Sequence, residues 1–324
     1  MECSRQVLTP YYHVQLWRKR NLKKLFRTRS IIIALLLLVV LYGAICIFVV
    51  NGVASRERWQ SEEHPEDYGL PYKDVEFPSR GDGLQLKGWY IAGPDRKHTI
   101  IFVHGIGGDR GGSRALNIAS GLWENEFNVL LYDQRASGLS EGEIVSGGYF
   151  EQDDLLGAYD YLREKGVESG NVGVVGFSMG AAVAILGAPQ ESGIQAVVAD
   201  TTYASASELI EGEVALATTM PIWMVPVFSP GITLAADLMY DIELNEMVPE
   251  VAVAEIKYPV LLIHGTNDTR IPVEHSLRVY ERAFQGSILW QAVGVEHMGA
   301  FSVYREEYME RVVRYFGQRF ETIP

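Results

Sequence analysis

The sequence predicts an α/β fold: a mostly parallel sheet with helices on both faces and a helical cap inserted late in the chain, preceded by one transmembrane helix. Three observations carry this prediction. From Lys73 onward, short apolar runs alternate with stretches of helical spacing. A Gly-x-Ser-x-Gly pentapeptide, residues 176–180, joins one such run to a stretch of small residues. A charge-free run of 20 residues, Ile31 to Val50, comes before the alternating part.

As a helix, those 20 residues would span about 30 Å, the thickness of a bilayer's hydrocarbon core. Residues 1–30 hold eight basic residues and one acidic residue, or +7, and the whole chain sums to −13, so residues 51–324 carry −20. A basic flank on the amino side places residues 1–30 in the cytoplasm and the body outside it, as a single-pass protein of the cell membrane. The alternative is a cleaved signal peptide, for which Gly52-Val53-Ala54 supplies small residues. The run is longer than the apolar core of such peptides, about 7–15 residues. Residues 51–71, with Pro65, Gly69 and Pro71 as breakers, read as a polar stalk. An acidic body repels phosphate backbones, which argues against a nucleic-acid partner. The two cysteines, Cys3 and Cys46, both precede the body, which therefore has no disulfide framework and no thiolate metal site. Composition sets no oligomeric state.

Within the body, Val75–Pro78 and Leu84–Ile91 flank Arg80-Gly81-Asp82-Gly83, a hairpin signal. Buried strands are expected at Thr99–Val103, Asn128–Tyr132, Val172–Val175, Ala196–Ala199, Val260–Ile263 and Ile288–Gln291. Helical spacing marks Arg114–Asn125, Glu151–Lys165, Met179–Ala188, a stretch near His275–Phe284, and Arg305–Arg319. Strands apolar on both faces and alternating with helices form parallel sheets. No internal repeat is visible. Sixty residues separate Ala199 from Val260, far more than a crossover needs. Residues 203–256 are therefore read as a cap on a core of residues 72–202 and 257–324. Its charge-free part, Val214–Ala236, includes Trp223, Met224 and Phe228, candidates for an apolar acyl pocket. Pro221, Pro226, Pro230 and Gly231 argue against a second membrane span there.

Gly176-Phe177-Ser178-Met179-Gly180 lies between a strand and a helix. Glycines let the chain reverse without a Cβ clash, so the corner raises Ser178 above the sheet edge. The Met179 amide then faces the reacting carbonyl at a helix N-terminus, where negative charge is favoured. A serine is a weak nucleophile without a positioned base. Asp268 follows the strand at 260–263 and His297 follows the strand at 288–291, so the chain order is Ser178, Asp268, His297. All three sit just beyond strand carboxyl ends, where open α/β sheets place their sites. A membrane crossing within the cap would separate Ser178 from the other two.

On these motifs, residues 72–318 resemble the α/β-hydrolase superfamily of serine hydrolases. The resemblance implies Ser178 as nucleophile, His297 as general base and Asp268 as the acid that orients it. It also implies an oxyanion hole of two backbone N–H groups, that of Met179 and one from His104-Gly105-Ile106-Gly107-Gly108, expected at Ile106. Residues 133–140 look like the family's D-x-R-G-x-G-x-S loop, with Ala136 in place of the first glycine. The expected reaction is carboxylic-ester hydrolysis through an acyl-enzyme, on a small-molecule or lipid-like acyl substrate, with no metal or cofactor. The alternatives are a peptidase of the aminopeptidase or oligopeptidase type and a non-catalytic hydrolase fold acting as a surface binding module. Asp200 is a rival acid, better suited to bracing its own loop. Asp133 and Arg135 are expected to form an ion pair, His104 and His264 to brace loops, and Glu296 to face solvent.

Overall fold

The computed structural model describes residues 10–55, 57–93, 96–217 and 220–321. In chain order the elements are α1 (Pro10–Ala54), β1 (Tyr72–Pro78), β2 (Gln85–Ile91), β3 (Thr99–Val103), α2 (Ser113–Glu124), β4 (Asn128–Tyr132), α3 (Glu151–Glu164), β5 (Val172–Phe177), α4 (Met179–Gly187) and β6 (Ile194–Asp200). Then come α5 (Ala206–Ala217), α6 (Val225–Tyr240), α7 (Pro249–Ala252), β7 (Leu261–Gly265), α8 (Glu274–Arg282), β8 (Ile288–Ala292), α9 (Ala300–Val303) and α10 (Arg305–Glu321).

The eight strands form one sheet in the order β1-β2-β4-β3-β5-β6-β7-β8. Strands β3 to β8 run parallel, while β2 is antiparallel to both β1 and β4. The expected hairpin closes with Pro78 opposite Gln85. After β3 the chain passes to β4 on one side and then to β5 on the other, so the winding reverses between β3 and β5. Open α/β sheets offer their crevice at such a reversal, beyond the strand carboxyl ends.

Alternation along the strands feeds two cores. Ile101, Val103, Val174 and Val197 face α3, α4 and α8, meeting Leu155, Val183, Ile185 and Val279. Ile100, Phe102, Val175 and Val198 face α2 and α10, meeting Ile118, Leu122, Val312 and Phe316. The small residues of α4 let it lie fully buried against the sheet. Between β6 and β7 stand α5 and α6, which build a third apolar cluster together with the last turns of α1.

Helix α1 is long and apolar enough to cross a membrane; an 18-residue window in it has mean hydropathy 3.2. It begins within the basic segment and runs without interruption to Ala54. The segment read as a stalk lies on the body instead. Ser61, Pro65 and Leu70 are buried, and the Ser61 amide donates to Asp109 at 2.6 Å. Its breakers form a tight turn with Gly69 at φ 67°, so they shape a packed segment rather than a spacer.

The expected Asp133–Arg135 pair is not formed. Arg135 turns to Asp154 of α3, 2.7 Å from Nη2, and to Asp82 of the hairpin turn at 3.0 Å. Asp133 accepts the amides of Arg110 at 2.7 Å and Leu139 at 2.9 Å. Two residues apart on a tight loop, the side chains diverge, each toward its own buried partner. Ala136, at the glycine position of that loop, takes φ 54°, a left-handed conformation that costs an L-residue about 1 kcal/mol or more. His104 accepts the Gln134 amide through Nε2 at 3.0 Å, so it braces its loop as expected. Glu296 is exposed.

Two stability measurements follow. Arg135→Met leaves the fully buried Asp154 carboxylate without its partner and is expected to lower the unfolding free energy by about 3–5 kcal/mol in urea denaturation. Asp200, buried at the end of β6, has its carboxyl pushed up from 3.8 to about 6 by burial. The fold thus favours its neutral form, and ionising it costs stability as pH rises from about 4 to about 6. Asp200→Asn removes that cost. Its stability relative to wild type is expected to improve between about pH 4 and about pH 7.5 by on the order of 3 kcal/mol.

Candidate active site

Ser178 occupies a corner one residue wide between β5 and α4, at φ 53° and ψ −116°. That conformation costs a non-glycine residue roughly 1–3 kcal/mol. Its flanking glycines are required by contact. A Cβ on Gly176 would overlap the Gly180 carbonyl, and one on Gly180 would overlap the Val103 carbonyl. The corner is tied to the neighbouring strand by the Ser178 amide, which donates to the Asp200 carbonyl at 2.9 Å. The loop after β3 rests on the same corner. A Cβ on Gly105 would lie 3.1 Å from the Phe177 carbonyl oxygen and 3.3 Å from Ser178 Cβ.

The three candidate residues meet. Ser178 Oγ is 3.1 Å from His297 Nε2, and His297 Nδ1 is 2.7 Å from Asp268 Oδ2. A proton on Nδ1 is held toward the carboxylate, which leaves Nε2 to accept the serine hydroxyl. Met298, next in the chain, adopts φ 52°, a second strained residue at the site. Burial alone would raise the Asp268 pKa. Hydrogen bonds from His264 and His297 and from the Ile271 amide outweigh it and hold the carboxyl well below the usual range. Oδ1 accepts the amides of Arg270 and Ile271, both at 2.9 Å. His264 is braced by Ser276 at 2.6 Å and the Ile271 carbonyl at 2.8 Å. Asp200 is placed elsewhere: its Oδ1 accepts the Thr201 hydroxyl at 3.0 Å. In chemical terms, the arrangement can draw a proton from a serine onto an imidazole and stabilise the resulting imidazolium with a fixed, ionised carboxylate.

Ser178, Met179 and Ile106 border one cavity of about 140 Å³. Met179 opens α4, so its N–H has no acceptor within the helix. Much of the rest of the lining is apolar side chains of α5 and α6, among them Leu209, Ile210 and Ile232, and of α1, namely Val50, Val53 and Ala54. The suggested pocket residues Trp223, Met224 and Phe228 are not among its lining. Trp223 is 74% exposed, Met224 packs in the third core cluster, and Phe228 stacks on Tyr42 of α1 at 5.1 Å. Composition singles out the bulkiest cap residues, whereas the lining comes from branched aliphatics on the inner helix faces. The polar residues at the cavity include Arg270 and Glu213, which pair at 2.8 and 3.0 Å and join α5 to the Asp268 loop. Two features had escaped notice in the sequence. Arg270 stands two residues after Asp268, a position that could have flagged it. Val50 ends an apolar run that signals only a membrane, and Val53 lies three residues beyond it.

Residues 98–232 match the family model described as alpha/beta hydrolase fold. The chain is 30% identical over 239 residues to the uncharacterized protein YqkD of Bacillus subtilis, covering 71% of this chain and 74% of that protein. It is 30% identical over 288 residues to the uncharacterized protein YfhR of Escherichia coli O157:H7, covering 84% of this chain and 92% of that one. Among solved structures, the Pyrococcus furiosus esterase Pf2001 superposes with a TM-score of 0.69 at 27% identity, over 82% of this chain and 98% of the esterase. The strand order, the serine corner and these relatives agree, and the chain belongs to the α/β-hydrolase family.

Proposed function

We propose that the protein is a serine hydrolase of carboxylic esters, held by α1 in the cell membrane with residues 1–30 in the cytoplasm and the body outside. One observation carries the chemical part: the unbroken relay from Ser178 Oγ through the His297 ring to Asp268, with steps of 3.1 and 2.7 Å. The basic flank of the apolar run supports the topology. Residues 203–256 act as a cap over the core.

In the first half-reaction His297 Nε2 takes the Ser178 proton as Oγ attacks the ester carbonyl. The tetrahedral oxyanion is met by the Met179 and Ile106 amides. The intermediate collapses, the carbon–oxygen bond to the alcohol breaks, and the imidazolium returns the proton to the departing alkoxide. In the second half, water loses a proton to His297 and attacks the acyl-serine, releasing the acid and restoring the serine hydroxyl. Asp268, kept ionised by its donors, stabilises the imidazolium in both halves. An apolar cavity beside Ser178 suits an acyl chain better than a charged peptide terminus, and the similarity to an esterase points the same way.

Active-site labelling and turnover test this reading. A fluorophosphonate is expected to label the wild type at one site, and Ser178→Ala to abolish both labelling and p-nitrophenyl ester turnover, by about 10⁴-fold or more, while keeping its melting temperature. Labelling that persists in Ser178→Ala identifies another nucleophile; failure to label the wild type supports a binding module. Asp268→Asn is expected to lower kcat on p-nitrophenyl butyrate by about 10³–10⁴-fold, with KM little changed. Turnover of aminoacyl anilides alone overturns the ester assignment in favour of a peptidase.

A further inference from the structure

We propose that the last turns of α1 form a wall of the acyl-binding site, and that the substrate is an acyl ester drawn from the bilayer itself. The proposal rests on the serine-hydrolase reading and on α1 as a membrane helix.

The apolar run and the cavity belong to one continuous helix. Val50 ends the charge-free run, and Val50, Val53 and Ala54 line the same cavity as Ser178. Val53 lies three residues past the run, about 4.5 Å along the axis, less than one helical turn. The cavity therefore sits at the edge of the hydrocarbon layer, within one helical turn of the end of the run.

The end of α1 is fastened rather than loosely tethered. The Tyr42 hydroxyl donates to the Val227 carbonyl at 3.0 Å. Gly231 of α6 admits α1 closely, since a Cβ there would lie 2.5 Å from the Tyr42 ring and 2.6 Å from Cys46 Sγ. Tyr240 donates to Asn51, and the Val145 amide donates to the Ala54 carbonyl at 2.9 Å. Beside this crossing, α6 turns outward Val227, Leu234 and Leu238, spaced seven and four residues apart on one face. With exposed Trp223 they make the outer side of this part of the cap apolar, on a helix packed against α1, where Ile47 and Phe48 are exposed as well. An apolar outer side with a tryptophan, on a helix packed against the proposed spanning helix, suits the depth where bilayer meets water. An acyl chain leaving hydrocarbon for an apolar cavity stays out of water, so a membrane ester avoids the roughly 0.8 kcal/mol per CH₂ cost of passing through solvent.

The full chain in phosphatidylcholine vesicles tests this in two ways. The first probe is a long-chain alkyl fluorophosphonate with a diazirine at the far end of its chain. Its phosphorus is expected on Ser178 and, after illumination, its tail on the peptide containing residues 50–54. Attachment to Ser178 with tails only on core loops overturns the α1 wall and leaves the hydrolase reading intact; no attachment to Ser178 removes both. The second readout is turnover of a long-chain p-nitrophenyl ester at fixed amount while vesicle lipid is raised tenfold. The rate is expected to fall about tenfold, following mole fraction in the bilayer, with p-nitrophenyl butyrate changing less than twofold. An undiminished long-chain rate overturns bilayer delivery. Val53→Phe narrows the wall and is expected to lower the ratio of long-chain to butyryl turnover at least tenfold; an unchanged ratio with intact fluorophosphonate labelling counts against the wall.

Discussion

Ser178 can stand above the sheet only because the chain reverses within one residue between β5 and α4, and the surrounding structure is arranged to hold that reversal. The backbone there is strained by roughly 1–3 kcal/mol. The strain is opposed by contacts on every side: the Gly180 stretch laid against the end of β3, the Ser178 amide on β6, and the loop after β3 pressed on Phe177 and Ser178. These contacts exist because β3, β5 and β6 are adjacent parallel strands. Parallel order brings their carboxyl ends to one edge, and the reversal of winding opens a gap there.

The same edge explains the electrostatics. Asp268 leaves β7 into a loop whose amides fold back on its Oδ1, while Oδ2 is left for His297. A buried carboxylate is costly unless its lone pairs are filled. Here backbone and imidazole donors fill them, and the carboxyl remains ionised. Asp200, one strand away and also buried, has fewer donors, and its proton is retained to higher pH. Two aspartates at neighbouring strand ends thus differ in charge behaviour because their loops supply different numbers of hydrogen bonds.

Much of this was legible in the sequence, for reasons that are local. A buried parallel strand leaves a short apolar run, and the six read this way lie within a few residues of β3 to β8. The serine corner needs glycines at fixed spacing, and Asp268 and His297 follow strands whose ends are readable. The hidden features depend on which surfaces meet. Arg135 chose Asp154, nineteen residues away, over Asp133, two away. The stretch 61–71 is polar in composition yet packs against the loop at Asp109. Cavity walls come in part from α1, α5 and α6, and nothing in the run ending at Val50 distinguishes an outward-facing valine from one lining the cavity at Ser178. Helical periodicity reports one apolar face against water; a segment apolar all round has no phase to read.

The crossing of α1 and α6 at Gly231 has a mechanical consequence. A polar spacer would let a tethered body tumble, but here Asn51 and Ala54 are hydrogen-bonded into the body. Under the proposed membrane reading of α1, the helix joins the body without a spacer. Under that reading, a tilt of the helix would also aim the mouth of the cavity at Ser178, so orientation would be set at the join itself.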